Sequence, residues 1–281
     1  MISITGRDDL HTVVVLNPKG GCGKTTLATN LAAWLASRQQ TPTLIDCDPQ
    51  GFSAGWLDKR PGHRPKIHGL LGFGGSFQKA NERLEVPSDS RIAIVDLPAA
   101  IRYDRLHFYT CIADSLLLPI QPSGIDVYGA TRFIAELLID AQLDRRECRL
   151  AIVANRVRSY TKSYRMLTRF LSSLGIPMIA ALRDSQNYVH AAAEGLGVCE
   201  LPIFRARDDL PGIGAIARWV LERRVVTERQ RQAMIERTAY RLAESRGFEG
   251  GDPVEDWLEA ERAVDSELAA ARVGTGGRLS T

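Results

Sequence analysis

The chain has 281 residues, 44% of them hydrophobic and 25% charged, enough apolar material for one large domain or a domain with an appendage. Its formal charge of +3 is uneven: residues 227–281 hold eight Arg against eleven Asp and Glu, a balance of −3 that leaves +6 on the first 226. No window approaches the roughly 18–20 continuous apolar residues of a membrane span. Residues 1–11 mix Arg7, Asp8 and Asp9 with no apolar run, unlike a secretory leader, so a cytoplasmic protein is the expectation. The five cysteines, 22, 47, 111, 148 and 199, are odd in number and widely spread; they read as reduced small residues, not as a disulfide frame or metal site.

Taken in order, apolar runs at 13–16, 43–46, 92–96, 115–120, 150–155 and 176–181 alternate with amphipathic helical patterns such as 25–37, 126–141 and 162–174. Strands that are apolar throughout and separated by helices predict a doubly wound α/β domain, a mostly parallel sheet covered on both faces. A last helix of this domain is expected over 213–224. Beyond it, 227–245 and 254–271 read as two charged helices around a break at 247–253, and the Gly-rich end reads as disordered. The expected division is an N-terminal segment 1–11, a main domain 12–226, a helical hairpin 227–273 and a tail 274–281.

In such sheets ligands bind beyond the carboxyl ends of the strands. The first run leads into Lys19-Gly20-Gly21-Cys22-Gly23-Lys24-Thr25-Thr26 at the start of an Ala- and Leu-rich helix, the strand–loop–helix context of a phosphate-binding loop. In such a loop backbone N–H groups wrap the phosphates, and by position Lys24 would reach the β/γ oxygens and the Thr25 hydroxyl would hold Mg²⁺. Pro18 stands where the common loop opens with glycine, and a second cation, Lys19, follows it: the variant called the deviant Walker A motif. ATP and Mg²⁺ are the cofactors this implies. The second run ends in Asp46-Cys47-Asp48-Pro49-Gln50-Gly51, the third in Asp96-Leu97-Pro98 and the fifth in Asn155-Arg156. Asp96 fits the acidic residue that holds Mg²⁺, with Thr25 and Asp46 in the same metal set. Asp46 and Asp48 are placed to face the γ-phosphate and position the attacking water; the alternative is that one of them caps a turn before Pro49.

In combination these motifs resemble the ParA/MinD family of dimerising ATPases, nearer its ParA branch, over roughly residues 10–225. The likeness continues through Gln121-Pro122-Ser123, Asp126, Gly129 and Arg183-Asp184-Ser185. The resemblance implies that Lys24 holds the β/γ-phosphates and Asn155, followed by Arg156, the adenine side. Asp48 would orient the water, and Lys19 would reach across a two-fold interface to the partner's nucleotide, so that ATP makes a homodimer and hydrolysis releases it. An extra cation beside a triphosphate is explained if another anion approaches it. Also implied are non-specific binding of nucleoid DNA, slow turnover stimulated by a partner, and an adaptor protein that links a cargo. The arginines to test for DNA are Arg183, the best matched, with Arg205, Arg207, Arg218, Arg223 and Arg224.

No helix-turn-helix pattern precedes Thr12, so operator reading is not expected. The acidic hairpin lacks the basic amphipathic helix of membrane docking, so no membrane partner is expected either. The hairpin, with Tyr240, Leu242, Gly247, Trp257 and Leu258, resembles a small bacterial domain of unknown function; Tyr240 with Leu242 and Trp257 with Leu258 are the expected packing pairs. The competing reading is an enzyme of the same fold, an amide ligase or a metallocluster reductase. The Asp48-Pro49-Gln50 switch favours a motor-like member over the ligase, and Cys111 lacks a second cysteine in a suitable context for a bridging cluster.

Overall fold

The computed structural model describes residues 3–5, 10–72, 83–99, 101, 103–139, 141, 143, 145, 148–158, 162–222, 228–248 and 252–273. The chain forms two compact units, 1–222 and 223–281.

In the first unit the elements run β1 (Ser3–Thr5), β2 (His11–Val15), α1 (Lys24–Ala36), β3 (Thr43–Asp46), α2 (Phe52–Asp58), β4 (His68–Leu71), β5 (Arg83–Glu85), β6 (Ile92–Asp96), α3 (Tyr103–Ile112) and β7 (Ser115–Ile120). They continue with α4 (Gly124–Ile139), β8 (Arg149–Val157), α5 (Lys162–Ser173), β9 (Met178–Arg183), α6 (Gln186–Ala193), a 3₁₀ turn (Val198–Glu200), α7 (Ile203–Ala206) and α8 (Leu210–Leu221). Seven strands pair in one sheet, in the order β4-β3-β6-β2-β7-β8-β9, every pair parallel. β1 and β5 make a separate short parallel pair.

The period of two along each strand loads both faces. Val13 and Val15 pack with Leu27, Leu31 and Leu35 of α1, Trp56 of α2 and Ile213 of α8. Val14 and Leu16 pack with Leu106 of α3, Phe133 and Leu137 of α4, and Leu167 and Leu171 of α5. Two covered faces are why these strands read as unbroken apolar runs. The register sets Asp46 level with Asp96, and Asp96 level with Val15, so the polar ends of three strands share one edge.

The six expected strands are present within about two residues of their ends. Several elements were not foreseen. α3 buries Leu106, Tyr109 and Thr110 on one side but carries Phe108 and Ile112 elsewhere, β4 is a four-residue edge strand containing Gly69, and α2 and α6 are short. The last helix starts at Leu210, three residues before the expected start, because Pro211 occupies its first turn, where a missing N–H costs nothing. One loop holds α2 in place: Gly195, at φ +67°, leaves no room for a Cβ against Arg60 N. There the buried Arg60 guanidinium bonds both Glu200 oxygens at 2.7 and 2.8 Å.

The second unit contains α9 (Glu228–Ser245) and α10 (Pro253–Val273). Ile235, Ala260 and Val264 form its core, with Met234, Ala239, Leu242 and Trp257 against them. Two expected pairs are corrected: Tyr240 and Leu258 are 58% and 46% exposed. Residues 235, 239 and 242 fall on one stripe of a 3.6-residue helix, and Tyr240 lies a third of a turn away from it; its ring meets Phe248 edge-on instead. Among the described residues no helix is long and apolar enough to cross a membrane. The tail 274–281, and Arg223 and Arg224, lie outside the described residues.

Candidate functional site

Between β2 and α1 the chain turns through Gly21 and Gly23, at φ +73° and +97°. A Cβ on Gly23 would collide with the Asn155 amide, so this position has both a conformational and a steric reason to be glycine. The loop is braced from neighbouring strand ends. Asn17 Nδ2 donates to Pro119 O at 2.8 Å, and Asn17 Oδ1 accepts from Lys19 N at 2.9 Å. Gln121 Nε2 donates to Gly21 O at 3.1 Å, and Asn155 Nδ2 to Cys22 O at 2.7 Å. Asn155 Oδ1 accepts from Arg156 N, and Arg156 sits at φ +52°. Asn155 thus supports the loop from behind. Asn17 was not singled out from the sequence, although it directly follows a strand end.

Lys24 is 7% exposed, and the contact of its ammonium is a long one, 3.4 Å to Lys19 O. A buried cation with so weak a partner is costly unless an anion joins it. Cys22 is buried beside it, and burial pushes its thiol up.

Asp96 is 1% exposed; its Oδ2 accepts from the Ser53 hydroxyl at 2.6 Å, while Oδ1 has no hydrogen-bond partner among the described residues. Burial pushes its carboxyl up to about 6, with Asp46 adding to the rise and the Ser53 and Thr25 hydroxyls and Lys24 opposing it. An orphaned buried carboxylate oxygen beside a threonine hydroxyl fits a hydrated Mg²⁺. Asp46 is equally buried, but both its oxygens are committed: Oδ1 accepts from Asp48 N at 3.0 Å and Oδ2 from Ala54 N at 2.8 Å. Its geometry is that of a carboxylate shaping the loop into α2. Asp48 is half-buried and folded into its own turn, with Oδ1 accepting from Gln50 N at 3.0 Å. Cys47 is pushed up to about 12 by burial and by Asp46 and Asp96, so it stays protonated.

Lys19, with 47% of its side chain exposed, is ion-paired with the buried Asp126 in the first turn of α4. The Ser123 hydroxyl donates to the other Asp126 oxygen at 2.8 Å. That Asp126 holds Lys19 was not anticipated, although it follows β7 at the same sheet edge.

Of the arginines, Arg183 ends β9 and reaches Asp209 and Asp208. Arg205 Nη2 lies 3.2 Å from His190 Nδ1, and its carbonyl accepts from Asn187, which also bonds Asp209. Arg183 and Arg205 therefore share one network. Arg207 is exposed beyond α7, and Arg218 is exposed on α8.

Residues 13–198 match the family described as CobQ/CobB/MinD/ParA nucleotide binding domain, and residues 230–266 match a protein family of unknown function, DUF2934. The chain is 29% identical over 191 residues to maintenance of carboxysome distribution protein A of Halothiobacillus neapolitanus, covering 68% of this chain and 87% of that protein. To the protein of the same name from Gloeobacter kilaueensis it is 33% identical over 198 residues, covering 68% and 84%. Among solved structures, a Cyanothece McdA variant in complex with ATP superposes with a TM-score of 0.59 at 18% identity over 78% of this chain and 99% of that one. The MinD cell division protein of Aquifex aeolicus superposes with 0.54 at 18% identity over the same shares. A seven-stranded parallel sheet, a lysine-doubled phosphate loop at its edge and a family match across most of the first unit establish that the chain belongs to the CobQ/CobB/MinD/ParA family of nucleotide-binding domains.

Proposed function

We propose that the chain is an ATP-dependent, dimerising partition or positioning ATPase that binds nucleoid DNA without sequence preference and moves a cargo through an adaptor protein. Its setting would be the cytoplasm, on the nucleoid. The cargo would be a plasmid, a chromosomal region, a protein cluster or a bacterial microcompartment. The reading is supported by the relatives named for carboxysome distribution, which this chain matches over most of their length. The observation that carries it is Lys19, a half-exposed cation at the mouth of the phosphate loop, tethered to a buried carboxylate on the next strand's helix. In a lone subunit Asp126 would hold the ammonium; in the dimer the partner's triphosphate would take it over, and the ion pair is exchanged for a stronger, multiply charged one.

Within each subunit Lys24 and the loop N–H groups would hold the triphosphate, Asn155 and Arg156 would flank the base, and Thr25 and Asp96 would hold Mg²⁺. Mg²⁺ bound there supplies charge neutralisation at the β/γ oxygens. Asp46 keeps the switch loop in shape, and Asp48, released from its own turn, orients the water.

Two variants test this. Lys19→Ala is expected to bind ATP within about threefold of wild type yet remain monomeric by sedimentation, since the only nucleotide Lys19 would touch is the partner's. ATP-driven dimers of Lys19→Ala would overturn the cross-interface role. Asp48→Ala is expected to lose at least about 100-fold in ATP turnover, because positioning of the nucleophile is most of what the protein supplies. It should accumulate as an ATP-bound dimer that retains salt-sensitive binding to random duplex DNA; turnover near wild type would remove Asp48 from the mechanism.

A further inference from the structure

Asp208 and Asp209, adjacent in the chain, treat Arg183 differently. Asp209, whose side chain is fully buried, accepts from Arg183 Nε at 3.1 Å, from the Ser185 hydroxyl at 3.1 Å and from Asn187 Nδ2 at 2.7 Å. Its own N–H donates to Ala206 O at 2.8 Å. With donors on both oxygens and its backbone tied down, this carboxylate is immobile, and it fixes the edge of the guanidinium that faces inward. The outward nitrogen, Nη1, lies 3.3 Å from the carboxylate of Asp208, which is 69% exposed. Asp208 therefore stands where a backbone phosphate would meet Arg183. The nearby Arg158–Asp184 pair, at 2.6 Å, is different: Arg158 is 83% exposed, and among the described residues no second, buried carboxylate orients it.

Resting on the DNA-binding reading above, we propose that Asp208 is a built-in competitor for the DNA phosphate at Arg183, acting on a guanidinium that Asp209 pre-orients. Binding exchanges one carboxylate for one phosphate on the same nitrogen. An exposed pair of this kind is worth at most about fivefold in an equilibrium, so DNA displaces it readily. Because the arginine is already oriented, little side-chain freedom is lost in the exchange. The consequence is DNA affinity held below what the arginines alone would give, in a range where dimerisation decides whether the protein stays bound.

The test uses the full chain with Mg·ATP and a fluorescent random-sequence duplex, read by anisotropy. Asp208→Asn is expected to tighten binding about three- to fivefold, and Asp208→Ala to do the same. In an Arg183→Gln background the gain from Asp208→Asn should fall below about 1.5-fold, since the group it unmasks is gone. Should Arg183→Gln fail to fold, Arg183→Gln combined with Asp209→Asn, which also removes the buried carboxylate left without its cation, takes its place. Unchanged affinity of Asp208→Asn, or an equal gain with and without Arg183, overturns the competitor role. Wild-type protein that binds no duplex DNA with Mg·ATP overturns the DNA reading itself, and this proposal with it; wild-type binding with an unresponsive Asp208→Asn overturns the competitor role alone.

Discussion

Alanine at Lys24 is expected to weaken ATP binding by two to three orders of magnitude while leaving the fold intact. The Lys24 ammonium is buried at the base of the phosphate loop; among the described residues its hydrogen bond is a long one to a carbonyl, and the Asp96 carboxylate is its charged neighbour. With a triphosphate present it would make charge-assisted bonds to two phosphate oxygens, each worth roughly 1.5–3 kcal/mol. Removing it loses those bonds and leaves buried phosphate charge uncompensated. The apo variant should melt close to the wild-type temperature, because relief from the desolvation of the buried ammonium is offset by loss of its attraction to the Asp96 carboxylate. Titration with a fluorescent ATP analogue in Mg²⁺, alongside a thermal melt, checks both halves. Affinity within tenfold of wild type would remove Lys24 from the phosphate site.

The second large effect concerns Asp96. Its carboxyl, ordinarily near 3.8, is pushed to about 6 by burial. A folded-state value above the unfolded one means that the folded protein holds more protons between about pH 4 and 6, so Asp96's contribution is most favourable below pH 4 and is lost as pH rises through 6. The difference amounts to roughly 3 kcal/mol above pH 7. Asp96→Asn keeps the shape and removes the buried charge. It is expected to stabilise the apo protein by roughly 2–3 kcal/mol at pH 7.5, a rise of about 5–10 °C in Tm, with the gain vanishing near pH 4. The same variant should lose Mg²⁺-dependent ATP turnover, because Asp96 Oδ1, the orphaned oxygen, is the atom that fits the metal. Mg·ATP should flatten the wild-type pH dependence and leave that of Asp96→Asn unchanged. A variant no more stable than wild type at pH 7.5 would show that the buried charge is already compensated in the apo protein.

Much of the site was legible in the chain because its backbone parts are local. Strand, glycine-rich turn and helix follow one another without interruption over residues 11–36, and the acidic residues sit at the last position of apolar runs, where the register sets Asp46 beside Asp96. Asp46 illustrates the limit. Its place at the strand end was readable, but whether its oxygens face a ligand or the backbone depends on how α2 begins, and Ala54 N claims one of them. The hairpin gives the same lesson. Two charged helices were evident, yet which aromatic residue lay inside depended on the phase of a short stripe, and Tyr240 falls outside it. α3 is not legible in the sequence because Phe108, Cys111 and Ile112 lie off its buried strip and Thr110 lies on it, which blurs the apolar period.

What the amino-acid order determined by itself was the alternation that makes a parallel sheet, the phosphate loop, and the chemical identity of the residues at one sheet edge. Hydrophobic period and glycine placement act over a few residues and need no distant partner. The pairings were decided only in three dimensions. Lys19 meets Asp126, 107 residues on, because β7 lies next to β2, and Asn155 reaches Cys22, 133 residues back, from the strand beyond it. Which carboxylate holds a cation, shapes a loop or stays orphaned follows from strand order and burial, quantities that exist only once the sheet has closed over its helices.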